Sequence, residues 1–121
     1  MLEEEIQSII TKIGGKINKG WYSVSERPGR PPFAKELEYT VGDLYWGKVH
    51  LRNDGEVYVL VISKDVFNWK DRVKDLKVNG EIVDAAGGLM WLREEDEKNL
   101  ESDLRYLIQY LNSVRSSSSQ H

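Results

Sequence analysis

With 121 residues, of which 40% are hydrophobic and 31% charged, the chain has the size and composition of one globular domain and not of a disordered segment. The absence of cysteine excludes disulfide bonds, a thiol nucleophile and cysteine-held zinc or iron–sulfur centres. The net charge of −3 does not exclude an anionic ligand, because residues 12–53 carry eight Lys and Arg against four Asp and Glu and form a basic block within an acidic chain.

The first third of the chain predicts one helix and two strands separated by a stiff loop. Apolar side chains recur at helical spacing over residues 2–13, and Gly14-Gly15 is a typical helix end. Residues 21–25 alternate and are rich in aromatic side chains, as in a short strand, and residues 37–41 can form another. Three prolines in residues 27–33 indicate a loop between them, because proline cannot donate to a β-ladder.

Residues 44–62 predict a β-hairpin. Asn53-Asp54-Gly55 suits a three-residue hairpin loop, with Gly55 at the position that requires a positive φ. This loop gives a register with one face that is apolar throughout, whereas a two-residue loop would shift the pairing and mix the faces. On the apolar face the pairs are Leu51 with Val57, Val49 with Val59, and Gly47 with Val61. On the opposite face they are Arg52 with Glu56, His50 with Tyr58, Lys48 with Leu60, and Trp46 with Ile62.

The second half of the chain predicts a helix, a hairpin and a final helix. Apolar residues repeat at helical spacing over residues 66–76, with Asp65 as N-cap. Asn79-Gly80 indicates a tight hairpin turn, and residues 89–92 a last strand. The final helix begins near the acidic run 94–97, where negative charge suits the helix dipole, and ends near Val114.

These elements predict the fold class. We expect one α+β domain over residues 1–115, with an antiparallel β-sheet flanked by helices in the order α-β-β-β-α-β-β-α. The serine-rich tail, residues 116–121, is too polar to pack and is expected to be disordered.

The first strand of the hairpin carries the first candidate site. Alternate residues of a strand share a face, so an aromatic ring, two cations and an imidazole line up over about 20 Å. These side chains are Trp46, Lys48, His50 and Arg52. Cations can follow phosphates while aromatic rings stack on unpaired bases, and Tyr58 adds a ring from the neighbouring strand. The alternative is an ordinary solvated face, or one covered by a helix.

The proline-rich loop carries the second candidate site. Its cations Arg27, Arg30 and Lys35 flank Phe33 in a stiffened segment, which loses less entropy when a ligand orders it. Arginine can bind phosphate bidentately and stack on bases. The loop shares the basic block with the strand, so we predict a joint nucleic-acid-binding site. The alternative is an exposed connector.

No constellation of residues predicts catalysis or a cofactor. His50 is the only histidine outside the tail, and no histidine-rich metal spacing, glycine-rich phosphate loop or nucleophile motif occurs. We therefore expect neither an enzyme nor a metal site. Of the tryptophans, Trp69 and Trp91 fit core positions, and of the adjacent Trp21 and Tyr22 one should face inward and the other outward.

The leucines of the final helix have two interpretations. They recur at alternating spacings of four and three, the pattern of a heptad seam that could join two copies of the chain. The seam covers only two heptads, and Ile108 widens the apolar stripe, as in a helix packed on its own sheet. A homodimer would use Leu100, Leu104, Leu107 and Leu111.

The chain is expected to be soluble and cytoplasmic, with no membrane partner. No apolar run approaches the roughly 20 residues that span a bilayer. The N-terminus is acidic, whereas a secretory signal would be basic. The absence of cysteine and the many charges are also typical of a thermophilic source.

The hairpin of residues 44–62, the run 65–69 and the segment 79–92 together resemble the ThermoDBP family of single-stranded DNA-binding proteins from thermophilic crenarchaea. The resemblance covers most of the chain and lies in the overall pattern. It implies an antiparallel sheet with flanking helices and a hydrophobic DNA-binding cleft rimmed by basic residues. Some members of that family dimerise through a longer, leucine-rich C-terminal helix, whereas the matching helix here is short and ends in serines.

The element order is also similar to that of type III secretion chaperones and YbjN-like proteins, which bind protein partners. That resemblance implies a peptide-binding surface and accounts for the acidic total charge. It leaves the basic strand without a role.

Overall fold

The computed structural model describes residues 1–119 and confirms the α+β class, an antiparallel sheet flanked by helices. The helices are α1 (Glu3–Lys12) and α2 (Glu97–Ser119). The strands are β1 (Lys16–Val24), β2 (Ala34–Val41), β3 (Tyr45–Arg52), β4 (Val57–Ser63), β5 (Glu81–Ala86) and β6 (Leu89–Glu94). None of the helices in the described part of the chain is long and apolar enough to cross a membrane.

The six strands form one sheet in the order β1-β2-β3-β4-β6-β5, with every neighbouring pair antiparallel. The predicted hairpin register between β3 and β4 is confirmed, with Val49 opposite Val59 and His50 opposite Tyr58. Gly55 has φ +92°, and its N–H donates to the Arg52 carbonyl at 3.0 Å. The three-residue loop therefore sets the register as the sequence predicts.

Both helices pack on one face of the sheet. Their isoleucines and leucines join a single core with the inward-facing residues of β2, β3, β4 and β6. The strands contribute Leu37, Tyr39, Tyr45, Val49, Val57, Val59, Val61, Met90 and Leu92. Burying this one face removes most of the large apolar side chains from water, which is the main driving force for folding.

Gly47 makes room for a tyrosine ring in this core. It lies opposite Tyr39 in the pairing of β2 with β3. A Cβ at Gly47 would lie 2.8 Å from the Tyr39 ring and 2.6 Å from the carbonyl oxygen of Leu60. The buried Tyr39 hydroxyl lies 2.9 Å from that of Tyr45, so each hydroxyl has a hydrogen-bond partner inside the core.

The connection from β4 to β5 differs from the predicted helix. Two single-turn 3-10 helices, Trp69–Asp71 and Val73–Asp75, replace a continuous α-helix over residues 66–76. The Asn68 side chain caps the first turn by accepting from the Lys70 N–H, and the Trp69 N–H donates to the Gly87 carbonyl at 2.7 Å. Tertiary anchoring of Trp69 thus overrides the helical spacing.

Further differences concern the number of strands and the length of the last helix. Four strands precede the 3-10 turns, whereas the predicted order has three. They are β1, β2, which includes residues 37–41, and the two strands of the hairpin. The first strand begins at Lys16, before the predicted residues 21–25. Helix α2 continues to Ser119, into the predicted tail of residues 116–121, and the last two residues of that tail lie outside the described residues.

The leucines of the predicted dimer seam lie in the core of this chain. None of the four is more than 4% exposed. They pack beneath the sheet together with Ile6 and Ile10 of α1. The apolar stripe of α2 is therefore satisfied within the monomer, and Leu100, Leu104, Leu107 and Leu111 offer no free surface to a second copy.

A buried acidic pair joins β6 to α2. Glu94 is 3% exposed and Asp103 1%. Asp103 accepts from the backbone N–H groups of Asn79 and Gly80, both at 2.8 Å, and so anchors the turn before β5. Neither Glu94 carboxyl oxygen has a hydrogen-bond partner in the part of the chain described. Burial first, and the neighbouring Asp103 carboxylate second, raise the pKa of Glu94 to about 9.

Replacing Glu94 by Gln should stabilise the protein increasingly as the pH rises. The folded protein holds a proton on Glu94 up to about pH 9, whereas the unfolded chain loses this proton near pH 4.5. Glu94 therefore lowers the free energy of unfolding as the pH rises from about 4.5 to about 9. The gain from Glu94→Gln should grow by up to about 1.4 kcal/mol per pH unit in that window. Urea unfolding at several pH values measures it. The exposed neighbour Glu95→Gln is the control, and a gain that does not change with pH would show that Glu94 is ionised in the folded state.

Candidate functional site

The sheet face opposite the helices forms the candidate site, and we call it the open face. No helix of residues 1–119 packs on it. Its side chains lie in rows that cross the strands, because cross-strand partners share a face. One row consists of Lys16, Thr40, Trp46, Ile62, Leu89 and Ala86. The next consists of Lys19, Glu38, Lys48, Leu60, Trp91 and Asp84. A third consists of Tyr22, Glu36, His50, Tyr58, Arg93 and Glu81.

Aromatic rings surround His50 near the middle of this face. The centroid of the His50 ring lies 5.6 Å from that of Phe33, 6.0 Å from Tyr58 and 6.4 Å from Trp91. The last two contacts are edge-to-face, a favoured geometry for aromatic pairs. Leu60, on the strand between those of His50 and Trp91, is 5% exposed although no helix of the described chain covers it. The open face thus has an apolar, ring-lined surface of its own.

Glu36 ties this ring cluster to the neighbouring strands. Its carboxylate accepts from His50 Nδ1 at 3.0 Å and from the Tyr22 hydroxyl at 3.0 Å, and Lys48 Nζ lies 3.5 Å away. Burial alone would raise the pKa of Glu36, but these hydrogen bonds and the positive charge of Lys48 outweigh it, so that the pKa is lowered. The imidazole is therefore fixed in orientation by a carboxylate that stays ionised.

The cations of the open face lie beside carboxylates. Arg52 Nε is 3.8 Å from Asp54, and Arg93 is 2.7 Å from Glu81 and 3.9 Å from Glu56. Lys48 also stands over the Trp46 ring, with Nζ 5.6 Å from its centroid. All three cations are only partly exposed, at 26–41% of the side chain. Ion pairs of this kind contribute little to stability, so a competing anion can replace them at small cost.

The proline-rich loop lies at the end of this face and is firmly held. Phe33 N–H donates to the Val24 carbonyl at 2.9 Å, and Asn53 N–H donates to the Phe33 carbonyl at 3.0 Å. The Arg52 guanidinium carbon lies 5.6 Å from the centroid of the Phe33 ring. A turn closes the loop tip, with the Arg30 N–H donating to the Arg27 carbonyl at 3.2 Å and Gly29 at φ +86°. No carboxylate of residues 1–119 is within ion-pair distance of Arg27 or Arg30.

One predicted site residue, Lys35, lies on the other side of the sheet. Strand β2 begins at Ala34, so alternation directs Lys35 toward the helices while Ala34 and Glu36 face the open side. Its Nζ donates to Glu3 of α1 at 2.8 Å. The prediction that Lys35 joins the loop cations is wrong, because the residue belongs to the strand. The other predicted members, Trp46, Lys48, His50, Arg52, Tyr58, Phe33, Arg27 and Arg30, lie on the open face or in the loop at its end.

The tryptophans divide between the two faces. Trp69 is fully buried, as predicted, and stacks on Tyr110 at 6.1 Å. Trp21 packs against the core while Tyr22 faces the open side, also as predicted. The prediction of a core position for Trp91 is wrong, because Trp91 pairs with Leu60 in the register of β4 and β6 and shares its open face.

Two carboxylates of the open face, those of Glu36 and Glu38, are missing from the predicted site. Glu36 and Glu38 alternate with the buried Leu37 and Tyr39, and this two-residue period is the signal that could have identified them. Glu38 already lies within the predicted strand of residues 37–41, and a strand start at residue 34 would have extended the alternation to Glu36. Within the described chain, no group of three or more His, Asp or Glu side chains is placed to hold a metal ion.

Comparison with protein-family models, with curated proteins and with solved structures finds no match for this chain.

Replacing Trp46 by Ala should cost far less stability than replacing Trp69 by Ala. Trp46 is partly exposed on the open face, so we expect a loss of roughly 1 kcal/mol. Trp69 is 0% exposed, and deleting such a side chain typically costs about 3–5 kcal/mol. Urea unfolding of both variants makes the comparison. Equal losses would place Trp46 in the core and remove it from the site.

Proposed function

We propose that the open face binds single-stranded nucleic acid with little sequence selectivity, with DNA favoured over RNA on the resemblance described above. The observation that carries this proposal is the ring cluster of Phe33, His50, Tyr58 and Trp91 on a sheet face that no helix of residues 1–119 covers. Aromatic rings that line a sheet face are a common platform for unpaired bases.

Base stacking supplies the sequence-independent part of the binding energy. Trp46, Tyr58 and Trp91 are partly exposed, and the loop brings Phe33 to the same surface. Stacking of a base on an aromatic side chain is worth about 1–3 kcal/mol. Two or three such contacts supply roughly 2–9 kcal/mol before the cost of association is subtracted, so micromolar affinity, about −8 kcal/mol, also requires the phosphate contacts.

Cations beside the rings can receive the phosphates. Arg27 and Arg30 have no carboxylate partner in the described chain, so they are available without breaking an ion pair. Lys48, Arg52 and Arg93 would exchange a carboxylate for a phosphate. Each phosphate neutralised on a single strand contributes about −0.7 to the slope of log affinity against log salt. The slope should therefore lie between about −1.4 for the two loop arginines and about −3.5 for all five cations.

Duplex DNA fits this surface poorly. Its bases are already stacked and paired, so they cannot lie on the rings of a flat sheet face. In the described part of the chain, the open face also carries no helix that could enter a major groove. Preference for the single strand follows from the shape of the site.

A peptide is the second candidate ligand, and the carboxylates of the open face favour it. Glu36, Glu38 and Glu56 stand among the cations, so that the face as a whole carries charges of both signs. Such a mixed surface with an apolar centre is also typical of protein interfaces.

The test is fluorescence anisotropy of a labelled mixed-sequence strand of about 16 nucleotides, with the matching duplex, at several salt concentrations. We expect micromolar or tighter binding of the strand, weaker binding of the duplex and a salt slope in the range above. Replacing Arg27 and Arg30 together by Ala should reduce the slope by about 1.4. Replacing Lys74 and Lys98, two exposed cations away from the open face, is the charge-matched control.

Absence of binding at low salt, or equal affinity for strand and duplex, would contradict the proposal. The peptide candidate would then be tested next.

A further inference from the structure

We infer that the open face selects bases that carry an exocyclic amino group, such as cytosine, over uracil and thymine, through the carboxylate of Glu38. This inference rests on the proposed function and narrows its sequence tolerance. It follows from the hydrogen bonds of Tyr22, the two glutamates beside it and the position of Trp46.

Tyr22 cannot satisfy both carboxylates that it touches. Its hydroxyl lies 3.0 Å from Glu36 Oε1 and 2.8 Å from Glu38 Oε2. A phenol has a single proton to donate, so the hydroxyl can donate to only one of the two carboxylates at a time. Burial first, and then the hydrogen bonds to Glu38 and Glu36, raise the pKa of Tyr22, so the hydroxyl keeps its proton and gives it to one partner at a time.

Glu38 is left with unused acceptor capacity. Glu36 has further donors in His50 and Lys48, whereas Tyr22 is the hydrogen-bond donor that the described chain provides to Glu38. The second oxygen of Glu38, Oε1, has no hydrogen-bond partner among residues 1–119. The side chain is half-buried, and a half-buried acceptor gains from a ligand that donates to it.

Trp46 places a base within reach of this acceptor. Thr40 pairs with Trp46 and Glu38 with Lys48, so Trp46 and Glu38 are diagonal neighbours on adjacent strands. Diagonal neighbours of this kind lie roughly 7–8 Å apart, within reach of a planar ring that overhangs the indole. The edge of a base that stacks on Trp46 in place of the Lys48 side chain can therefore lie over the carboxylate.

The chemistry of the base edge decides which base is favoured. A carboxylate accepts well from the N4 amino group of cytosine, a recognised protein–base contact. Uracil and thymine present a carbonyl oxygen at the same position, and two acceptors facing each other repel. The negative charge of Glu38 also disfavours a phosphate at this point, so we expect the phosphates to lie toward Arg52 and the loop arginines.

The experiment compares oligo-deoxycytidine with oligo-deoxyuridine of equal length by fluorescence anisotropy at neutral pH. These strands share the sugar and the ring size and differ in the base edge. We expect the cytidine strand to bind about tenfold more tightly. In Glu38→Gln the amide can both donate and accept, so the preference should fall below about threefold. Glu4→Gln on α1, which removes the same charge from an exposed residue of the other layer, should keep the preference.

The outcomes separate this inference from the proposed function. If both strands bind with equal affinity, or if Glu38→Gln keeps the full preference, the inference is wrong and the proposed function stands. If neither these strands nor the mixed-sequence strand binds, the proposed function fails and the inference with it.

Discussion

The register of the hairpin between β3 and β4 decides which side chains the fold buries. Gly55 at φ +92° closes a three-residue loop, and this loop pairs Val49 with Val59 and His50 with Tyr58. A shift of one residue would direct the valines to solvent and the histidine, lysine and arginine into the core. The neighbouring strands extend the same alternation across the sheet. The separation of a covered face from an open face therefore depends on this one turn.

The helices cover one face of the sheet, and the other face is ordered by contacts among its own side chains. There His50 is hydrogen-bonded to Glu36 and flanked by aromatic rings, and the buried Leu60 lies on the same face. Only 12–13% of the Glu36 and His50 side chains is exposed. Their hydrogen bonds compensate for the loss of water around them. A preformed ring surface of this kind can accept a flat ligand with little rearrangement, which is the physical basis of the proposed function.

Sequence reasoning succeeded where a local rule fixes the geometry. The hairpin register, the loop at Pro28 and Pro31, and the opposite directions of the adjacent Trp21 and Tyr22 all follow from turn chemistry and alternation. The predicted core position of Trp91 is wrong because its direction depends on how β6 pairs with β4, a long-range register that periodicity alone does not give.

Two other features also needed the tertiary structure. The 3-10 turns replace the predicted helix because Trp69 is anchored by the Gly87 carbonyl and the Tyr110 ring. Lys35 lies on the helix side because β2 begins three residues before the predicted strand. The same early start places Glu36 on the open face beside Glu38, where both carboxylates would repel phosphates and leave the bases as the groups that can approach them.

The most direct test of the account uses the four tryptophans as reporters of the two faces. Their indole N–H groups give separate signals in a proton–nitrogen correlation spectrum, which single Trp→Phe variants assign. On titration with a mixed-sequence single strand, the signals of Trp46 and Trp91 should shift while those of Trp21 and Trp69, whose indole nitrogens are buried, should stay in place. Binding that shifts Trp21 or Trp69 and leaves Trp46 and Trp91 unchanged would contradict the assignment of the open face as the ligand-binding surface.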